Sequence, residues 1–236
     1  FGQSVAFPKL ARYINGKSQK LAVIYVNNDF GKGGQTTIKQ LLAGSPTQVV
    51  AEISTDQGQI DFSSAVIQAK QAGADAIFAY TNEEESARLL RELRKQGWTK
   101  PVIGETTLTS SKVVELAGEA ANGAVAHVGL TVEAPPLQDF GKRYQALYNG
   151  VPDHNGVKGY TGMYILKAAI EKAGKVDQKA AAAAIRNSCF SATQHKGVLM
   201  DVCFDDKGDL DRESFITEIR NGKTVAYWIT PFNIPA

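Results

Sequence analysis

Several residue types are scarce in this 236-residue sequence, and each scarcity removes a class of protein. Two cysteines, Cys189 and Cys203, cannot build a disulfide-stapled miniprotein. No apolar run approaches the roughly 18 residues of a membrane-spanning helix. Neither sign of charge dominates: 26 basic side chains against 24 acidic ones leave a net +2. The basic residues do not cluster either, so the electrostatic footprint of a nucleic-acid binder is missing. What is there is ordinary globular material, 43% hydrophobic and 21% charged, which argues against disorder and collagen. A compact chain of 25.4 kDa buries about 70% of its unfolded surface.

The chain opens at Phe1 inside a helix-like pattern, with Val5, Leu10, Tyr13 and Ile14 at helical spacing. A processed or cut N-terminus is the expectation. From about residue 20 to residue 106 one unit repeats. Leu21–Val26 reads as a buried strand, Asn27–Gly31 as turn and helix entry, and a helix through Ile38, Leu41 and Leu42 ends near Gly44. A strand over Gln48–Ile53 follows, then a helix capped by Asp61 that closes at Gly73, then a strand over Ala74–Tyr80. The helix over Glu83–Gln96 opens with three glutamates and closes with Arg91, Arg94 and Lys95, which suits its macrodipole. A fourth strand, Pro101–Gly104, leads to a short helix over Ser111–Leu116. Short apolar strands alternating with helices predict an α/β fold, a parallel sheet flanked by helices with right-handed crossovers.

After Gly123 the rhythm changes. One more strand is predicted over Ala124–Val132, then three helices in succession, about Leu137–Tyr148, Val157–Ala173 and Asp177–Asn187. Only Gly197–Phe204 reads as strand within that stretch. Asn221-Gly222 between apolar alternations predicts a closing hairpin, Phe215–Arg220 with Thr224–Ile229. The helices around Tyr160, Tyr164, Ile165, Ala168 and Ala169 carry an apolar face with almost no sheet to cover.

Motifs with a chemical look fail on spacing. Gly31-Lys32-Gly33-Gly34 matches neither phosphate-loop pattern, and close strand–helix packing explains it better. Asp205-Asp206-Lys207-Gly208-Asp209 lacks the glycine position and the final glutamate of a calcium loop, so it reads as a tight turn. Cys189 with His195 lacks an orienting third residue for nucleophilic catalysis. From composition alone, a Cys189–Cys203 pair and two buried free thiols stand level.

In order along the chain, Asn28-Asp29-Phe30-Gly31-Lys32-Gly33 after a strand, Asp61-Phe62-Ser63, Ala72–Phe78 and Leu89–Arg94 form a set. Ala117–Gly123, Gly159-Tyr160 with Ala168–Gly174, and Phe204–Leu210 extend it. This set resembles the type I periplasmic binding proteins of the leucine/isoleucine/valine-binding class. The resemblance implies two Rossmann-like lobes joined by three crossings, with a small ligand clamped between them. In that layout residues 1–128 and 214–236 form the second lobe, 130–212 form the C-terminal portion of the first, and crossings fall near 128–131 and 211–215. Most of the first lobe's sheet is then expected outside residues 1–236, in a fuller gene product or in another polypeptide.

Ligands of open α/β sheets lie at the carboxyl ends of strands. The resemblance places ligand contacts there at Phe30, Tyr80, Asn82, Glu105 and Thr106. Phe30 stands where an aromatic ring packs on the ligand, and Asn82 where a tyrosine is frequent. Thr106 stands where amino-acid binders put an acid for the α-ammonium, with Glu105 one place away. A threonine hydroxyl cannot neutralise an ammonium, so aromatic and other organic acids enter beside branched-chain amino acids. Helix capping by Asn82 and a solvated loop charge at Glu105 are the plainer readings. His127 reads as a structural residue near a crossing, and Asn155 as a helix cap. In an exported family a disulfide between Cys189 and Cys203 becomes the preferred state.

The function so implied is an extracytoplasmic, periplasmic solute-binding protein of an ABC importer. Its partners are a small molecule and the transporter's membrane subunits, and it has no cofactor, metal or catalytic residue. A ligand-sensing domain, either receptor ectodomain or repressor effector domain, is the alternative. An α/β enzyme would need a nucleotide loop or a convergent acid–base pair, which the sequence does not offer.

Overall fold

In the computed structural model, which describes residues 3–211 and 214–228, seven strands pair into one sheet. They are β1 (Lys20–Val26), β2 (Gln48–Thr55), β3 (Ala76–Tyr80), β4 (Val102–Glu105), β5 (Ala124–Val128), β9 (Phe215–Arg220) and β10 (Lys223–Trp228), in the order β10-β9-β5-β4-β3-β1-β2. β1 pairs in parallel with β2 and β3, and β3, β4 and β5 continue in parallel. Every residue of β3 is buried, as expected of a central parallel strand covered on both faces.

The covering helices follow from apolar spacing. α1 (Gln3–Asn15) buries Phe7, Leu10 and Ile14 along one stripe, and α2 (Asp29–Leu42) buries Ile38 and Leu42. α3 (Ser63–Gln71) buries Val66, α4 (Glu83–Lys95) buries Leu89, Leu90 and Leu93, and α5 (Ser111–Ala117) buries Val113. Each fully buried leucine contributes about 1.5–3 kcal/mol relative to exposure. At the amino ends of the strands, Asp75 accepts from Ser18 Oγ at 2.6 Å and from the Gln19 and Lys20 amides at 3.1 Å, fixing β1 against β3. Asn221 and Gly222 both take positive φ, so the β9–β10 hairpin closes through the mirror-image turn that Asn-Gly favours.

Contacts divide the chain into two units. One contains Ala6–Val128 with Ile216–Trp228, and thus the large sheet. The other, Gly129–Phe215, contains α6 (Gln138–Tyr148), α7 (His154–Ala173), α8 (Gln178–Ile185) and a small antiparallel sheet of β6 (Ser188–Phe190), β7 (Val202–Phe204) and β8 (Leu210–Asp211). Its core gathers Ile165, Ala168 and Ala169 of α7, Ala181 of α8, and Phe190, Val198 and Val202. Cys189 and Cys203 face each other across β6 and β7 and are joined as a disulfide.

Four expectations need correction. The strand at residue 124 ends at Val128 rather than Val132, because β4 offers its last partner, Glu105, to His127. The strand ending at Phe204 begins only at Val202, and β6 and β8 are strands the apolar pattern did not reveal, being three and two residues long. The cap of α7 is Asp153, whose Oδ1 accepts from Gly156 N at 2.8 Å, so Asn155 lies inside the helix. Asp61 accepts from Ser63 N at 2.8 Å but stands one residue before the cap position, which Phe62 holds. Ile229, the predicted end of the hairpin, lies outside the described residues.

Candidate functional site

Strand order alone brings three loops together. From β1 the chain turns outward to β2, then crosses back to β3 and onward through β4 and β5. The order reverses between β1 and β3, the position at which doubly wound sheets open a crevice at their carboxyl ends. The loops there carry Asn27–Phe30 after β1, Thr81–Asn82 after β3, and Glu105–Thr106 at the end of β4.

The entry to α2 is built close. Asn28 caps it, Oδ1 accepting from Gly31 N at 2.9 Å. A β-carbon on Gly31 would stand 1.8 Å from the Val26 carbonyl oxygen, and one on Gly34 would stand 2.2 Å from Cε1 of Tyr80. These two glycines let the helix lie against the strand ends and leave room for the Tyr80 ring. Tyr80 is buried, edge-on to Phe7 at 5.2 Å between centroids, and stacked on Phe78 at 5.7 Å. Phe30 caps this column, with its ring 4.2 Å from that of Tyr80 at 22° between planes, and stays 40% exposed. The outcome is an apolar platform that is rigid beneath and open above.

Asn82 holds the cap position of α4 with extended backbone, but its side chain makes no cap hydrogen bond. Instead Nδ2 donates to Glu85 Oε1 at 3.4 Å. The capping reading for Asn82 is therefore corrected: Glu85, three residues on, takes its amide.

Glu105 and Thr106 form a second cluster. Thr106 Oγ1 donates to Glu105 Oε1 at 2.9 Å and lies 3.3 Å from the His127 carbonyl oxygen. The fully buried His127 ring places Nδ1 3.5 Å from the same Glu105 oxygen. Burial pushes the Glu105 carboxyl up, but the His127 ring, the Thr106 hydroxyl and the Thr106 amide outweigh it and hold the group below its ordinary range. The carboxylate is thus fixed on one oxygen while the side chain stays 21% exposed. The ladder pairing Ala79 with Gly104 and Glu105 with His127, continued by one residue, sets Tyr80, Glu105 and His127 in one row on one face of the sheet.

Sequence reasoning missed Glu85 and Arg88. Glu85 is buried and accepts from Gly58 N at 2.6 Å, while Arg88 Nη1 donates to the Gly58 and Gln59 carbonyls at 3.1 and 2.9 Å. Together they clamp the loop after β2 to α4. The available signal was the spacing Asn82-x-x-Glu85, a cap residue with an acid three places on. Among the described residues, no three His, Cys, Asp or Glu side chains gather in a way that could hold a metal ion, and no helix is long and apolar enough to cross a membrane.

Residues 1–224 match the periplasmic binding protein family. The chain belongs to that family. Among the relatives of this periplasmic binding protein chain is the leucine-, isoleucine-, valine-, threonine- and alanine-binding protein of Pseudomonas aeruginosa, 25% identical over 207 residues. That match takes in 84% of this chain and 52% of the relative, so the chain spans about half the length of the curated relatives it matches. In fold it is similar to a leucine-binding protein of Thermotoga maritima, with a TM-score of 0.80 and 20% identity over 96% of this chain and 66% of that one. It is similar as well to an ABC-transporter solute-binding protein of Rhodopseudomonas palustris solved with benzoate, with a TM-score of 0.79 and 18% identity over 94% and 61%.

Proposed function

We propose that the chain is the larger part of an extracytoplasmic solute-binding protein of an ABC importer, and that it binds a small organic ligand without changing it. The ligand class is a branched-chain or other amino acid, or an aromatic or other organic acid. The observation that carries this reading is the Phe30–Tyr80 platform at the point where strand order reverses, in a chain of this family. A rigid ring column with one exposed face, flanked by an amide and a hydrogen-bonded carboxylate, is suited to recognition.

In this reading the unit with the large sheet is the second lobe, and Phe30, Tyr80, Asn82, Glu105 and Thr106 are its half of the site. The Gly129–Phe215 unit is the C-terminal portion of the first lobe. Its α7 exposes Gly159, Gly162, Met163 and Leu166 on one side, with open space over both glycines. A first-lobe sheet, from a fuller gene product or another polypeptide, is the proposed cover for that side. Transport then rests on differential affinity: ligand stabilises a closed form of the two lobes, and the importer's membrane subunits recognise that form. The protein works in the periplasm or at the cell surface and makes and breaks no bonds.

Thermal-shift screening of the intact gene product tests this. A branched-chain amino acid or an aromatic acid at about 100 times its Kd stabilises by about 2.7 kcal/mol. No shift with any amino acid, aromatic acid or other organic acid, together with turnover of some substrate, would overturn the reading.

A further inference from the structure

The small sheet of the Gly129–Phe215 unit turns its disulfide to solvent. Cys189 of β6 and Cys203 of β7 stand directly opposite one another and are bonded, and both residues are exposed. The residues that alternate with them face the other way: Phe190 and Val202 are buried in the core of the unit. We propose that Cys189–Cys203 is a thiol–disulfide exchange site, opened and reclosed in the folded chain by a dithiol of the oxidoreductase class. This goes beyond the solute-binding reading and does not depend on it.

Two observations carry it. The first is access. A disulfide buried in a core meets a thiolate only when the fold opens, whereas an exposed one is attacked as it stands. Here the core lies on one face of the β6–β7 pair and the sulfurs belong to the other. The second is that the hairpin has further ties on both sides of the bond. The Asn187 amide donates to the Asp205 carbonyl oxygen at 3.2 Å, and the Ala192 amide donates to Asp201 Oδ1 at 2.8 Å. These ties are weaker than the covalent link, but they keep two freed thiols within reach of each other. Cleavage therefore loosens strands of three residues each without scattering the pair, and the same bond can re-form.

The exchange is two successive displacements. A thiolate of the dithiol attacks one sulfur of the pair and forms a mixed disulfide, while the other sulfur leaves with the bonding electrons as a thiolate. The second thiolate of the dithiol then attacks its own sulfur in the mixed disulfide and releases the remaining cysteine. The protein disulfide is reduced by two electrons, the dithiol is oxidised to its own disulfide, and its two protons end on the cysteines.

The test uses the full-length gene product without denaturant, with dithiothreitol as the dithiol and alkylation with mass spectrometry to count free thiols. The expected cleavage rate rises in proportion to dithiothreitol, and the Cys189–Cys203 bond returns when oxidised glutathione replaces it. A bond that opens only through unfolding gives a rate that levels off at the unfolding rate, and that result would overturn the proposal. In the native host, acid-quenched thiol trapping is expected to find both cysteines free in part of the population, and to lose that fraction when the compartment's dithiol reductants are deleted. A chain that is fully bonded in cells with those reductants present, or a free-thiol fraction indifferent to their deletion, would overturn it equally.

Discussion

The ring of Phe30 lies 4.2 Å from that of Tyr80, one residue 40% exposed and the other buried. The pair divides the labour of the proposed site between contact and support, and the two residues answer differently to truncation. Phe30→Ala removes an exposed ring, so stability changes by less than about 1 kcal/mol, while affinity for the cognate solute falls roughly tenfold to thirtyfold. Tyr80→Ala hollows the column between Phe7, Phe78 and Gly34 and costs about 3–5 kcal/mol of stability. Denaturant unfolding with titration calorimetry separates the two, and equal stability losses would contradict the assignment.

Gly34 gives a sharper handle on the same column. A methyl there would stand 2.2 Å from the Tyr80 ring, so Gly34→Ala displaces the ring or the first turn of α2. A destabilisation of about 1–3 kcal/mol is expected, with weaker solute binding because the platform tilts. Gly31→Ala meets the backbone oxygen of Val26, which cannot swing away, and is the more damaging of the two. Unfolding midpoints of both variants check the order.

The parallel sheet was legible because β1, β3 and β4 are apolar on both faces and the helices between them begin and end on charged or glycine signals. α4 shows this best, with glutamates at its start and Arg94 and Lys95 at its end. The short strands β6 and β8 were illegible, since two or three residues carry no periodicity and their pairing is non-local. In the proposed site, only the placement of Phe30, Tyr80 and Glu105 at or beside strand ends was readable in the sequence. Their partners were not. That Thr106 turns its hydroxyl to Glu105, and that the Asn82 side chain meets the Glu85 carboxylate rather than a backbone amide of α4, depends on side-chain directions and on a loop 27 residues away in sequence.

The Glu105 carboxyl is held below its ordinary value of 4.5 in the folded chain, where His127 and Thr106 overcome the effect of burial. As acidity rises, the unfolded chain binds this proton first. The stabilisation is therefore complete above about pH 4.5 and is lost as pH falls through that value toward the lower folded one. Glu105→Gln removes that contribution, so its stability profile is flatter than the wild type's as the pH falls below the ordinary carboxylate value of 4.5. At neutral pH the variant is less stable by about 1–3 kcal/mol, since a charged hydrogen-bond acceptor beside a buried ring is gone. Guanidinium midpoints measured across that interval check the slope, and an unchanged acid slope would remove Glu105 as its source.

The Cys189–Cys203 disulfide joins β6 to β7, strands of three residues each, beside the core formed by Phe190, Val198 and Val202. Such strands hold few ladder hydrogen bonds, so the covalent link stands in for length that the sheet lacks. It closes a loop of 14 residues in sequence separation, for which the chain-entropy estimate is about 3 kcal/mol. Removing both sulfurs as the double Cys→Ala variant, or reducing the wild type, is expected to destabilise the Gly129–Phe215 unit by that amount. Phe30, Tyr80 and Glu105 belong to the other unit and keep their packing. Hydrogen exchange resolved along the chain distinguishes this from a global effect. Protection should fall in residues 188–204 and on the packed faces of α7 and α8 while β1, β3 and β4 stay protected, and uniform loss across both units would place the disulfide's role elsewhere.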